Sequence, residues 1–428
     1  MSDSIANGYG CRPCKQVQLN VTDSDVTLKH TEQVDSFGRL RVSNPVTLFD
    51  SQNRYKLNEK FFSNLIGTGT AVNYIQAQSS ANLFVTSNVN DFVARESRFV
   101  FNYQPGKSLL TMSTFVMNPA KSGLVQRVGY FGRENGYYIQ VGSNTSPTTL
   151  FSNVYIVERS NALGTVSETL IAQQNWNGDK LDGSGASGLS LDMTKSQIFY
   201  TDLEWLGVGS VRTGVVIDGT FINCHTFNHA NLVPYTYITT ACLPLRYEIT
   251  NRAATSGTSN LNQICSTVLS EGGYEPKEQL FCQVGVDVGL TLTSTTPVPL
   301  ISIRLAPGRL DAIAVLKQIN VAVSTNNDLA RWSLILNGTL SGATSWGAHA
   351  DSTNVQIDTG STGVSGGRII EVGFAQTGSL NTSITPSFFE AQLGRNSFTN
   401  TSDVITLAAA ECTNDPKIFY SLAWSELI

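Results

Sequence analysis

The residue types best suited to chemistry sit in a few short stretches. In 198-IFYTDLEWLGVG-209, Asp202 and Glu204 stand two apart, a spacing that puts both side chains on one face of a strand. A carboxylate pair hydrolyses a glycosidic bond when it flanks that bond at about 5–5.5 Å for retention, or roughly 6.5–9.5 Å for inversion. In 223-NCHTFNHAN-231, Cys224, His225 and His229 bring three zinc-type ligands close together in sequence. Zinc demands tetrahedral convergence, whereas adjacent strand residues point to opposite faces and the fourth ligand must come from afar. The expectation is a buried Cys224 with His225 and His229 hydrogen-bonded near a loop, and no metal is assigned. Cys11 and Cys14 form a C-x-x-C without a second such pair or a βαβ pattern around it. It reads as an ordinary chain end or as a metal or disulfide site shared between subunits. The run 360-GSTGVSGG-367 lacks the Lys-Ser/Thr ending and following helix of a phosphate loop, so it is expected to be a surface loop. With four histidines in all, no Ser-His-Asp or Cys-His triad can be assembled, and no cofactor is expected.

Positioning these residues falls to strands. Val284, Val286, Val288, Leu290 and Leu292 form one alternating apolar face, Ile313, Val315, Ile319, Val321 and Val323 another, and 332-WSLIL-336 a third. Period two over such lengths predicts half-buried strands. Turn dipeptides that tolerate positive φ separate the runs: Asn135-Gly136, Asn177-Gly178, Asp182-Gly183, Asp218-Gly219 and Asn337-Gly338. The nearest approaches to a helix are 389-FEAQLGR-395 and 311-DAIAVLKQ-318, and the second fits a strand better. The predicted fold class is all-β, with two β-sandwich or jelly-roll-like domains. Residues 1–50 lack a core of their own and read as an extended N-terminal arm. Residues 51–283 form one sandwich and 284–428 a second, with the break placed near Gln283.

Only 14% of the 428 residues are charged and the net charge is -5, against roughly 25% charged in an average soluble domain. Counterion release needs clustered Lys and Arg, so nucleic acid is not an expected partner. No apolar run is long enough to span a bilayer, and the first residues lack a signal-peptide pattern. Synthesis and assembly in a cytoplasm are expected, without membrane insertion. The odd number of cysteines, seven, argues for reduced thiols, with Cys224, Cys242, Cys265, Cys282 and Cys412 placed in or beside apolar strands.

The stretch 36-SFGRLRVSNPVTLFDS-51 resembles a hallmark near the N-terminus of virion structural proteins of tailed phages, especially marine and cyanobacterial ones, and of some large DNA viruses. Residues 176–219 with 223-NCHTFNHAN-231 resemble the middle of the same proteins, and 300-LISIRLAPG-308 with 329-LARWSLILNGTLSGATSW-346 their C-terminal β-domain. The resemblance covers most of residues 35–350 and implies a virion component without fixing its place among tail, fibre and capsid-associated positions. In the opening motif, Gly38 permits a turn. Arg39 and Arg41 point to one side of an extended segment, and Leu40 and Val42 to the other. With Phe37, these residues are either a docking arm whose arginines pair with carboxylates on a partner, or the first strand of the chain's own sandwich.

The middle block also resembles concanavalin-like and laminin-G-type sandwiches, through 198-IFYTDLEWLGVG-209 and 211-VRTGVVIDG-219. The polysaccharide hydrolases among them carry an E-x-D-x-E strand. Here the third acidic position falls on Tyr200 or Leu206, so catalysis is not expected and Asp202 and Glu204 read as a solvated strand face. In 129-GYFGRENGYYIQ-140, Tyr130, Phe131, Tyr137 and Tyr138 are either sugar-stacking platforms or core. Two functions follow: a structural component of a virus particle acting by assembly with itself and with other virion proteins, or an appendage protein that binds or degrades host-surface glycan. A homo-oligomer is expected because weakly charged strand edges need cover. The trimer is favoured because fibres and appendages are commonly three-fold.

Overall fold

The computed structural model describes residues 21–22, 25–26, 35–36, 44–142, 154–275, 277–324, 328–377, 380–383 and 391–427. Among them there is no α-helix; they form strands, turns and short 3-10 turns. Cys11, Cys14, Phe37, Arg39, Leu40, Arg41 and Val42 lie outside the described residues.

The first strands in chain order are β1 (Val21–Thr22), β2 (Asp25–Val26), β3 (Val46–Gln52), β4 (Phe62–Ile66), β5 (Ala71–Ile75), β6 (Ser80–Val85), β7 (Phe92–Ser97) and β8 (Ser108–Met117). Next come β9 (Leu124–Phe131), β10 (Gly136–Val141), β11 (Val154–Ser160), β12 (Ser167–Ala172), β13 (Gln197–Leu203), β14 (Val211–Ile217), β15 (Thr220–Phe227), β16 (Leu245–Asn251) and β17 (Ser259–Glu271). Apart from the β1–β2 pair, they build two sheets. One has seven strands in the order β12-β11-β10-β9-β16-β7-β4; the other runs β15-β14-β13-β8-β17-β6-β5, with β3 added on β17. Every pairing is antiparallel, which suits a sheet with one face on a core. Alternate residues of the facing strands, among them Tyr137, Ile139, Val128, Phe199, Leu203, Leu261 and Val268, interleave into a single apolar core.

Two turns show how the sequence closes these hairpins. Asp218 and Gly219, both at positive φ (51° and 76°), form the two-residue turn in which Ile217 pairs with Thr220. Gly136 holds φ at 135°, and a Cβ there would sit 2.3 Å from the Phe131 Cα, so only glycine permits the β9–β10 turn.

The second sandwich uses β18 (Gln279–Val284), β19 (Leu290–Thr291), β20 (Val298–Leu305), β21 (Ile313–Val323), β22 (Leu329–Leu336), β23 (Thr339–Gly342), β24 (Gly347–Ala348) and β25 (Val355–Asp358). It continues with β26 (Ser361–Ser365), β27 (Arg368–Gln376), β28 (Leu380–Ser383), β29 (Arg395–Asn396), β30 (Thr401–Ser402), β31 (Val404–Thr413) and β32 (Lys417–Leu427). Its five-stranded sheet runs β18-β32-β21-β28 with β19 also on β32, and its six-stranded sheet runs β24-β25-β20-β31-β22-β27. Ile303, Leu305, Ile319, Val321, Trp332, Leu407 and Trp424 lie in its core.

Several expectations need correction. The arm boundary at residue 50 falls inside β3, which pairs with β17 and puts Leu48 and Phe49 into the first core. Pro45, with no N–H to donate, stands just before the first paired residue, Val46. Gln283 lies within β18, so the passage between the sandwiches is 272–278. The row Val284 to Leu292 is not one half-buried strand: β18 ends at Val284, a turn with Gly289 at φ 74° follows, and Val286 and Val288 stay exposed. The glycine-rich run at 360–367 is mostly strand β26, paired with β23. Cys282 and Cys412 are exposed rather than packed.

Candidate functional site

Asp202 ends up buried, not solvated. It is 1% exposed on β13, directly across from Arg212 of β14, whose Nη2 donates to Oδ2 at 2.6 Å, while the Ser108 hydroxyl donates to Oδ1. A carboxylate survives such burial only with a paired cation and full hydrogen bonding. Glu204 lies just beyond the strand and accepts from the Ser210 hydroxyl at 3.2 Å. The two acids therefore do not share an open face. The arm reaches this place too: the Ser36 hydroxyl donates to the Asp202 carbonyl at 3.2 Å, so Asp35–Ser36 touch the chain's own first sandwich.

Cys224 points into the core, where burial raises its thiol pKa. His225 points elsewhere: its Nδ1 accepts from the Asn177 N–H at 3.3 Å, and burial lowers the imidazole's pKa. His229 lies between the Gly209 carbonyl, 2.6 Å from Nδ1, and the Glu158 carboxylate, 2.8 Å from Nε2, with its ring stacked on Tyr237 at 3.9 Å. The three do not converge, and among the described residues no three His, Cys, Asp or Glu side chains form a metal-binding group.

The aromatic run is core, which corrects the platform reading. Tyr130, Tyr137 and Tyr138 are fully buried, and each hydroxyl has a partner: the Ala241 carbonyl at 2.7 Å, Glu158, and Glu168 at 2.8 Å respectively. No ring face is open to a sugar.

A charge network that the sequence reading missed occupies the opposite face of the same sheet. Tyr137 and Ile139 face the core, so Tyr138 and Gln140 face away, and register places Arg127, Arg159, Arg246 and Glu248 beside them. Arg127 donates to Glu248 at 2.5 Å, Arg246 donates to Glu248 at 2.9 Å and to Glu96 at 2.8 Å, and Arg395 of the second sandwich donates to the other oxygen of Glu96 at 2.8 Å. Burial raises the Glu248 carboxyl, but Arg127 and Arg246 outweigh it and hold it down at about 2. The guanidiniums of Arg159 and Arg246 also lie over the Phe131 ring, at 5.3 and 5.6 Å. The signal was available: a lone arginine inside each of the apolar strands LVQRVGYF, VYIVERS and LRYEITN calls for a buried partner.

This network reaches the junction of the sandwiches. Arg98 pairs with Asp403, the Arg395 N–H donates to the Arg98 carbonyl at 2.8 Å, and Val100 packs into the second core. A cleft of about 340 Å³ beside Glu134, Asn135, Asp311 and Arg395, and another of about 560 Å³ beside Lys56, Lys60, Arg98 and Arg368, open along that seam.

The remaining unsatisfied feature is apolar. Leu280 and Val284 project from the edge strand β18, and Val286 and Val288 from the turn after it, with Leu280 74% and Val288 73% exposed. Val284 and Val286, together with Phe419, line a groove of about 310 Å³. Ile369, Val372 and Phe374 form a second exposed row on the edge strand β27. These eight are all the exposed large hydrophobics among the described residues of the second sandwich.

No protein family model matches the chain, and no curated protein matches it. Solved structures similar to part of it include a Bacteroides ovatus mixed-linkage glucan GH16 protein, with TM-score 0.34, 8% identity, and coverage of 52% of this chain and 99% of that one. Peanut lectin gives TM-score 0.31, 12% identity, and coverage of 53% and 98%. The CBM2 module of the evolved Dit of Lactobacillus casei BL23 phage J-1 gives TM-score 0.33, 5% identity, and coverage of 54% and 98%. Likeness at this level carries no argument about what the chain does.

Proposed function

We propose that the chain is a structural component of a virus particle, made in the host cytoplasm and acting by assembly with copies of itself and with neighbouring virion proteins. The observation that carries this reading is the pair of exposed apolar rows on β18 and β27. Edge strands of monomeric proteins are blunted by charge, proline or bulges, whereas these present leucine, valine, isoleucine and phenylalanine. The resemblance of residues 36–51, 176–219, 223–231, 300–308 and 329–346 to phage virion proteins supports the same reading. The test is to purify particles of the virus that carries this sequence on a density gradient and look for the chain by mass spectrometry. Its constant ratio to the major shell or tube protein supports the reading; its absence from washed particles overturns it.

A second reading, host-glycan binding by an appendage protein, has one observation in its favour. The half-buried Trp346 takes the Arg304 guanidinium over one ring face at 4.2 Å, and Arg304 donates to Gln356 at 2.8 Å, leaving an indole and a polar fringe at the surface of the second sandwich. On either reading the chain works without turnover of polysaccharide. Incubation with host-surface glycan should release no reducing sugar, and Glu204→Gln should leave particle function intact. Sugar release abolished by that substitution would overturn the non-enzymatic reading.

A further inference from the structure

The two apolar rows lie on opposite flanks of the second sandwich. Across the core, β21 packs on β22 and β27, while β32 packs on β20. Thus β18, on the far side of β32 from β21, lies on the β24–β25 flank. His349, next to β24, confirms this by donating through Nε2 to the Cys282 carbonyl of β18 at 3.2 Å. At the other flank β27 leads into β28, and Val323 of β21 bridges to Thr377.

Each row is built to meet a surface rather than to extend a ladder. On β18, Leu280, Cys282 and Val284 share one face, and the carbonyls of Cys282 and Val284 already accept from the side chains of His349 and Gln283. On β27, Val372 and Phe374 face away from the core, because their neighbour Gly373 lies against the Trp332 ring on the inner side. From Ile369 to Phe374 the row spans roughly 17 Å at strand rise, comparable with the row along β18. The charges beside the rows lean in opposite senses. Arg331, in register with Phe374, and Arg368 flank the β27 row with Glu371 between Ile369 and Val372, whereas Asp287 stands between Val286 and Val288, Asp351 donates its N–H to His349, and Lys417 lies against Gly289. No ion pair among the described residues engages Arg331, Arg368, Asp287 or Asp351.

We propose that the β27 row of one copy docks onto the β18 row of the next, a head-to-tail contact of this chain with itself. The inference rests on the assembly reading above. Two different patches on opposite flanks with opposite charge fit a heterologous interface, whereas a two-fold dimer would need one self-complementary patch. Arg331 and Arg368 then face Asp287 and Asp351 at the rim of the apolar contact.

The test uses two full-length variants, Leu280→Glu with Val284→Glu and Val372→Glu with Phe374→Glu, weighed by light scattering alone and mixed in equal amounts. All four positions are exposed, so thermal midpoints should match the wild type; if either variant unfolds, the Gln versions replace it. The mass of each variant alone should fall from that of the wild-type oligomer to that of a single chain. The mixture should then form a two-chain species and nothing larger, because one intact row of each kind remains and the two altered rows repel. Either variant still assembling alone, or a mixture that stays single-chain, overturns the head-to-tail contact while an oligomeric wild type leaves the assembly reading standing. A single-chain wild type overturns both.

Discussion

At Glu248 the chain commits itself to a charge balance that shows in its response to acid. The carboxyl, held at about 2 by Arg127 and Arg246 against the effect of burial, compares with about 4.3 for a free glutamate. A depressed carboxyl stabilises fully above its unfolded value and loses that contribution as pH falls towards its folded value. It supplies roughly 2–3 kcal/mol above about pH 4.3 that disappears towards pH 2. Denaturant unfolding from pH 6 to pH 2.5 should therefore show a steeper acid loss for the wild type than for Glu248→Gln. Equal slopes would mean that the guanidiniums do not hold the carboxylate. This network was hidden from sequence reading because its charged members come from five strands and two sandwiches, with Glu96 and Arg395 299 residues apart. Only the arginines inside apolar runs hinted at it. Asp202 misled for the complementary reason: its period-two partner Glu204 suggested a shared open face, while the residue that fixes its burial, Arg212, lies across a hairpin.

At the level of strands, period two was a dependable guide wherever both ends of the run were pinned. β21 takes Ile313, Val315, Ile319, Val321 and Val323 into the core as expected, although a bulge between Leu316 and Gln318 buries Leu316 as well. The same pattern failed from Val284 to Val288, where the strand ends and the row stays exposed. At β27 the packing is tight enough to test by one methyl group. A Cβ on Gly373 would lie 2.4 Å from the Trp332 ring, so Gly373→Ala should destabilise the second sandwich by about 1–3 kcal/mol in thermal or denaturant unfolding. No loss would mean that β27 can shift away from β22. The arm raises a separate question of roles. Asp35–Ser36 and β3 belong to the first sandwich, while Arg39 and Arg41 lie outside the described residues. Replacing Arg39 and Arg41 together by Ala should leave the thermal midpoint unchanged while incorporation into particles falls sharply, read by the ratio of this chain to the major particle protein. Normal incorporation, or unfolding of the isolated chain, would make the segment part of the fold alone.

For the whole molecule, the two sandwiches are tied by Arg395–Glu96, by Arg98–Asp403 and by backbone contact at Arg98, so the rows on β18 and β27 hold a fixed relation to the first sandwich. Two all-β domains joined by paired charges, with apolar rows left at the flanks of one of them, suit a part that repeats around an axis. Composition pointed the same way, since a chain with 14% charged residues has little with which to guard its edges. The most direct measurement is the mass of the purified full-length chain by light scattering across micromolar concentrations. The account predicts an oligomer at every concentration tested; a single chain throughout would contradict it.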